Sequence, residues 1–482
     1  MQHYLINNVF FNDYSVGSFN QLLTMKKFLL LISGLLLSSL GLIDSQQKTW
    51  SLEECIRYAT ENNIQIKQQV IQTEYQKNTL DLSKLKLLPS INGSASHNYS
   101  FGRALDETTY QYTDQENVQS NNFYLGGNMN LFSGLQNYNT INKNKYGLLA
   151  SEEDLKNIRD NIALTVALNY LQILLNKELV AATDNQLGIT RQQIEKSKKL
   201  VDAGSVARGN LLQIEAQAAQ EELQLTNIKN QLDISFLNLT QLLELKTPEG
   251  FEIIVPEIHV DTNAIISGNV DDIFEVARGT RPDVKSSEYK LTESEYDLKV
   301  AQGGRSPRLS LNHSFSTGYS DIRKKVIGID PSTGPIYGTY SFANQVNDNI
   351  NYGIGFSLNI PILNGWQINK NISNARLAIE SSQFTLEGTK KQLYKNIQQA
   401  YTDAVASLKK YTASIKAVTS TEESFRYTEQ KFTVGMITPV DYNAAKTQLL
   451  NAQSDMAQAK YEFIFKTKVL DFYKGIPLNL NK

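Results

Sequence analysis

The sequence predicts a mixed α/β membrane protein in which one unit, a strand hairpin joined to long coiled-coil helices, is written twice in tandem. Three observations carry the prediction. Landmark residues recur at fixed offsets, four short segments alternate strictly between two faces, and the stretches beyond them run for tens of residues without proline in heptad register.

The chain opens on a targeting signal. Met25-Lys26-Lys27 is a short basic start, and Phe28 to Leu42 is apolar apart from small Ser and Gly, which fits a secretory signal over 25–45 and not a spanning helix. Residues 1–24, with Asn7, Asn8, Asn12 and Asp13, lack the character of a basic leader and are read as upstream sequence. Cleavage is expected near Ser45. No later stretch approaches 18 consecutive apolar residues, which excludes a helical inner-membrane protein, so any entry into a membrane is by strands. A composition of 41% hydrophobic residues with a net charge of −2 has no basic excess, so no nucleic-acid partner is expected. The single cysteine, Cys55, cannot form an internal disulfide, and Ser51-Leu52-Glu53-Glu54 before it is not a lipoprotein cleavage context; a buried, inert thiol is expected.

The repeats come next. Pro89 and Pro307 each end a helical run and open an alternating segment, at an offset of 218, while Gly134 matches Gly365 and Gly204 matches Gly435 at an offset of 231. The 13 extra residues of the second copy fall between its two strands, which predicts a longer surface loop over roughly Gly318 to Asn349. Gly134 to Gly204 and Gly365 to Gly435 each span 70 positions without proline, so each reads as one helix of about 100 Å. In the second copy Ile397, Tyr401, Ala404, Leu408, Tyr411, Ile415 and Val418 step by 4 and 3, as do Ala445, Leu449, Ala452, Met456, Ala459 and Phe463. The first copy keeps Val166, Tyr170, Ile173, Val180 and Leu187, interrupted by Lys177 and Asp184, and Ile214, Ala218, Leu225, Ile228 and Leu232, interrupted by Glu221.

Four strands follow from period-two alternation, each near the roughly 9 to 11 residues of a tilted membrane strand. One face carries Ile91 to Tyr99, Phe123 to Leu131, Leu309 to Phe315 and Tyr352 to Ile360, taken at every second position; the other carries Ser, Asn and Gly, including Asn128, Asn130, Ser357 and Asn359. A soluble sandwich also alternates. The secretory signal and the lack of large apolar residues on the second face, where Tyr124 is the exception, favour lipid outside and water inside. Four strands cannot close a barrel, and an open edge is not tolerated in lipid. Two chains would give eight strands with a filled interior; three give twelve and leave a lumen lined by Asn128, Asn130, Ser357 and Asn359. His97 and His313 read as polar-tipped strand residues near the lipid boundary, and Tyr99, Tyr124, Phe315, Tyr352 and Phe356 are candidates for aromatic girdles that ordinary strand packing explains equally well.

The stretch Lys431-Phe432-Thr433-Val434-Gly435-Met436-Ile437-Thr438-Pro439-Val440-Asp441, the run on to Asp471-Phe472-Tyr473, Arg281-Pro282-Asp283, and Leu52-Glu53-Glu54-Cys55-Ile56 with Ala59 and Asn62-Asn63 resemble segments of the TolC-like outer membrane efflux protein family, the outer membrane factors. The resemblance covers nearly the whole mature length. It implies a homotrimer with a twelve-stranded β-barrel in the outer membrane of a Gram-negative bacterium, and a periplasmic α-helical tunnel. It further implies small molecules delivered by an inner-membrane pump through a periplasmic adaptor (membrane fusion) protein. The expected organisation is a first repeat over 46–245, a linker and equatorial segment over 246–267 that includes Phe251 to Pro256, and a second repeat over 268–482.

The same resemblance places the two glycine-marked turns, at Gly204 and Gly435, at a periplasmic tip, with Asp441 lining its constriction and Asn210 as the first copy's counterpart. Thr438, Pro439 and Asp441 also form a sound helix start, with Thr as N-cap, Pro first and an acid third. Ala444 and Ile437 stand where the family often has further charges, so the expected constriction carries fewer charges, with Asp441 repeated threefold. No catalysis, cofactor or metal is expected, because His3, His97, His259 and His313 are scattered and no ligand spacing, nucleophile elbow or phosphate-cradling loop occurs. Two alternatives stay open at this stage: an exit duct for type I protein secretion, and a non-conducting periplasm-spanning scaffold or adhesin.

Overall fold

The computed structural model describes residues 49–103, 105–106, 110–112, 116–257, 260 and 268–480. The expected upstream region, the signal over 25–45, His3 and His259 lie outside the described residues.

Two series of elements run in parallel. The first copy comprises α1 (Leu52–Asn62), α2 (Ile64–Leu85), strands β2 (Ser90–Gly102) and β5 (Glu116–Phe132), then α3 (Gln136–Asp202) and α4 (Arg208–Leu242). The second comprises α5 (Val270–Thr280), α6 (Pro282–Gly303), strands β7 (Arg308–Ser320) and β10 (Asn351–Asn359), then α8 (Gln367–Thr433) and α9 (Pro439–Tyr473). Helix lengths agree pair by pair, at 11, 22, 67 and 35 residues. The long helices start later than the landmark glycines because Gly134-Leu135 and Gly365-Trp366 are all left-handed, with φ between 58° and 63°. Gly134 has no alternative, since a Cβ there would sit 2.4 Å from the Gly303 carbonyl oxygen.

The four long strands form one antiparallel sheet in the order β10-β7-β5-β2. Cross-strand register aligns Gly93, Leu125, Phe315 and Tyr352 in one row, Ile91, Gly127, His313 and Ile354 in the next, and Met129, Leu311 and Phe356 in a third. From Leu309 to Thr317 this face spans roughly 27 Å along the strand, or about 20 Å after tilt, close to the apolar band of an outer-membrane barrel. His313 therefore lies in the middle row, over Gly127, and not near the boundary as its sequence context suggested. His97 does lie toward the outer margin, hydrogen-bonded to Asn121 and edge-on to Tyr99. Tyr124 is also corrected: its ring covers Gly126 on the polar face, so it cannot join a lipid-side girdle.

The expected long loop of the second copy is an ordered insertion. β7 continues to Ser320, after which β8 (Lys324–Asp330) and β9 (Gly334–Thr339) make a hairpin and α7 (Phe342–Asp348) a short helix. Among its described residues, the corresponding segment of the first copy holds the two-residue strands β3 (Leu105–Asp106) and β4 (Gln111–Tyr112).

The helices pack as coiled coils, and α3 touches α2, α4, α6 and α9. Ile397 and Ala404 are fully buried beside Leu393, Ala400, Leu470, Ala277 and Val284, while Leu187 packs with Ala218 and Leu225 in the first copy. The Arg281-Pro282-Asp283 segment is a clamp: the buried Arg281 guanidinium donates to Asp160 (2.8 Å) and Asn157 (3.2 Å) on α3 and stacks on Phe472 of α9. Cys55 is fully buried on α1, and burial pushes its thiol up to about 12. Among the described residues no helix is long and apolar enough to cross a membrane. A separate small unit pairs β1 (Thr49–Trp50) in parallel with β6 (Glu252–Ile253), with Trp50 against Phe251.

Candidate channel tip and polar sheet face

Both long hairpins turn through a glycine. Gly204 (φ 71°) and Gly435 (φ 79°) follow α3 and α8, and the next amide bonds back across the turn, Ser205 to Leu200 and Met436 to Lys431, each at 2.9 Å. These are Schellman closures, which need a left-handed residue and so explain both glycines. Beyond the turn the copies differ. Thr438 caps α9 by accepting from the Asp441 amide (3.2 Å), while the Thr438 amide and hydroxyl donate to Asp441 Oδ2 at 3.3 and 2.7 Å. At the equivalent places the first copy has Ala207, which offers no side-chain cap, and Asn210, whose amide reaches only the Ala207 carbonyl. Tyr442, almost fully buried, stacks on Phe432 at 4.5 Å and contacts Phe425, closing the second tip with aromatic rings. Asp441, Thr438, Gly204 and Gly435 are exposed, and Asn210 is half-buried.

Seven residues into α9 lies a buried polar cluster absent from the sequence-based candidates. Lys446 and Glu221 have side-chain exposures of 3% and 4% and stand 3.8 Å apart. Thr190 bridges them, receiving a hydrogen bond from Lys446 Nζ at 2.5 Å and donating to Glu221 Oε2 at 2.5 Å. Lys446 also donates to the Gln186 carbonyl, and Gln217 donates to Glu221 Oε1. Helices α3, α4 and α9 thus meet at one charge pair, and among the described residues no other ion pair is so deeply buried. Burial holds the Lys446 ammonium below the usual lysine range, with Glu221 opposing the shift. Nearby, Gln186 Nε2 and Asn443 Oδ1 are buried without a hydrogen-bond partner.

One signal for this cluster was visible. Glu221 interrupts the first copy's apolar seam, and a heptad seam admits a buried carboxylate only if a cation reaches it. Its partner was hidden because α9 buries two stripes. The seam through Ala459 and Phe463 is one, and Lys446, Leu450, Ala457 and Ile464 form a second one residue on, toward α3.

On the sheet, Asn130, Ser310 and Ser357 fall in one cross-strand row, Asn128 lies beside Ser90, Asn312 and Gly355, and Asn359 opposes Arg308. Ser90 Oγ donates to Asn128 Oδ1 at 2.7 Å. The structure brings the four strand candidates onto one polar face and the tip candidates to the two helical turns. Among the described residues no group of three or more His, Cys, Asp or Glu side chains could hold a metal ion.

The family model described as outer membrane efflux protein matches twice, over residues 55–244 and 274–465. The chain is 22% identical over 454 residues to outer membrane protein TolC of Escherichia coli (strain K12), covering 91% of this chain and 84% of that protein. It is likewise 22% identical to outer membrane protein TolC of Salmonella enteritidis, with 94% and 86% covered. Among solved structures, the outer membrane protein VceC of Vibrio cholerae superposes with a TM-score of 0.72 at 16% identity, covering 88% of this chain and 96% of that one. The Campylobacter jejuni CmeC outer membrane channel gives the same TM-score at 18% identity, with 89% and 87% covered.

Proposed function

Because the chain belongs to the outer membrane efflux protein family, and so is an outer-membrane channel protein of a Gram-negative bacterium that reaches into the periplasm and is not an enzyme, we propose that it is the passive exit duct of a tripartite efflux system. Three copies assemble, an inner-membrane pump delivers small molecules, and a periplasmic adaptor joins pump to duct. The observation that carries this reading is the sheet. Among the described residues its two outer strands, β2 and β10, have no further partner, and one of its faces is apolar and the other polar. Unpaired edges are excluded from lipid, so copies must close on one another. Four antiparallel strands leave β10 and β2 running in opposite directions, so each new copy continues the antiparallel pattern, and three copies enclose a lumen where two would not.

In that assembly Asn128, Asn130, Ser357 and Asn359 line the barrel lumen. The Gly204 and Gly435 turns form the tip, and Asp441, fixed by its bonds to Thr438, repeats three times around the axis beside Asn210. The Lys446–Glu221 pair ties the second hairpin to the first just behind that ring. Planar-bilayer recording of the purified protein tests the reading. Discrete, cation-preferring conductance steps are expected, and a protein that inserts as a trimer without conducting is a scaffold instead.

A further inference from the structure

The two edges of the sheet are unequal. β2 has thirteen residues, whereas β10 has nine, so β10 can pair with at most nine residues of a β2 strand from another copy. On the helix side β2 begins directly after Pro89 and β10 ends at Asn359, two residues before Pro361; with those ends level, the excess lies at the opposite end, over Tyr99–Gly102. Among the described residues no strand pairs with the free side of β2, and Tyr99 and Phe101 are 60% and 78% exposed.

α7 occupies the place where β10 would have continued. The Asp321 amide turns toward β5 and bonds the Gln119 carbonyl, so the preceding residue, Ser320, turns the other way. There it meets no strand but Gln345 of α7, fully buried, which accepts from the Ser320 amide (3.0 Å) and donates to its carbonyl (2.9 Å), copying a strand partner with one side chain. Asn349 donates to the Gly318 carbonyl at 2.7 Å, and Thr317 Oγ1 donates to the Val346 carbonyl. Phe342 packs on Phe123 and Tyr319, fixing the helix against the sheet. On the side away from Gln345, Ala343 and Asn347 are exposed.

We propose that α7 is the outer part of the seam between subunits, its Ala343 and Asn347 side receiving residues Tyr99–Gly102 of β2 from a second copy. This rests on the homotrimer proposed above. A strand-only seam would leave the last four residues of β2 as an open edge at the outer margin, a row of backbone donors and acceptors free to pair with another chain. A helix that already seals β7 in the same row stands at the one place where it can also cover them. The ordered insertion that distinguishes the second copy thereby gains a purpose: it completes the wall at the junction of unlike edges, which the first copy, whose β5 is paired on both sides, does not need.

The full-length protein carrying the photoreactive residue p-benzoylphenylalanine at Ala343, or separately at Asn347, tests this. Irradiation of the purified assembly should give an adduct of twice the chain mass, with the cross-link mapping to residues 99–102 of another copy, and the probe placed at Tyr99 should map back to 341–348. If chemical cross-linking shows a trimer but these probes react only within their own chain, with lipid, or not at all, the seam is wrong and the duct reading stands. If no trimer forms, the duct reading fails first and the seam with it.

Discussion

The two hairpins, α3/α4 and α8/α9, agree in length residue for residue yet differ in what they bury. In the first, Glu221 and Thr190 interrupt an apolar interior; in the second, the positions 231 residues on are Ala452 and Thr421, and no acid is present. Lys446 has its own counterpart in Glu215, which is exposed. The charge pair therefore exists once and joins the copies instead of recurring within each. Duplication preserved the length and spacing that a coiled-coil tunnel requires, while the interior diverged until a cation on one copy answered a carboxylate on the other. The hairpins are no longer interchangeable.

Breaking that link should have the largest effect. Lys446→Met leaves Glu221 buried without a counterion, a loss of about 3–5 kcal/mol, which chemical unfolding in detergent would measure. Adding Glu221→Leu should return stability to within about 1 kcal/mol of the native chain or above it, because a leucine continues the seam of Ala218 and Leu225 and the Thr190 hydroxyl proton turns to the Gln186 carbonyl, 3.2 Å away. A double variant no better than Lys446→Met would refute the pairing. pH separates the same partners. Burial lowers the folded-state value for Lys446 below 10.5, so between the two values the unfolded chain binds the proton more fully and stability rises with pH. Below the lowered value the full cost of burying the cation is present. The double variant should lose this rise, seen as a smaller gain in its unfolding midpoint between pH 7 and 10 than the native chain shows.

The second tip is sharpened by Asp441→Ala. Losing the box with Thr438 should cost about 1 kcal/mol, and in the trimer proposed above three carboxylates should vanish from the constriction together. Bilayer recording should show raised closed-state conductance and weaker cation preference; if neither changes, Asp441 is a cap and nothing more.

How far the sequence reaches can be seen at particular residues. Helix lengths, the sheet's two faces and both glycine turns were legible because each follows from a local rule: period 3.5, period 2, and the left-handed residue that a Schellman closure requires. His313 was misplaced because alternation assigns a face but not a height, and height depends on the register set by Gly127 and Ile354 on other strands. Lys446 went unread because a residue one step off a clear seam looks exposed until a third helix covers it. The outer insertion read as loop because its Gly and Pro content announces turns, and only the buried Gln345 shows that those turns hold a helix against a strand.

The smallest effect belongs to the uncapped tip. Ala207 has φ −66° and ψ 139°, the extended geometry of an N-cap, but no side-chain acceptor for the first amides of α4. Ala207→Thr with Asn210→Asp would copy the Thr438–Asp441 arrangement at an offset of 231, and should stabilise the chain by about 0.5–1 kcal/mol with no change in fold. Its use lies in the conductance. If three extra carboxylates at residue 210 strengthen cation preference, the two tips present equivalent positions to one constriction, and the native asymmetry is one of charge. If stability rises and selectivity does not, residue 210 stands off the axis, and the permeation path near the tip is lined by the second copy.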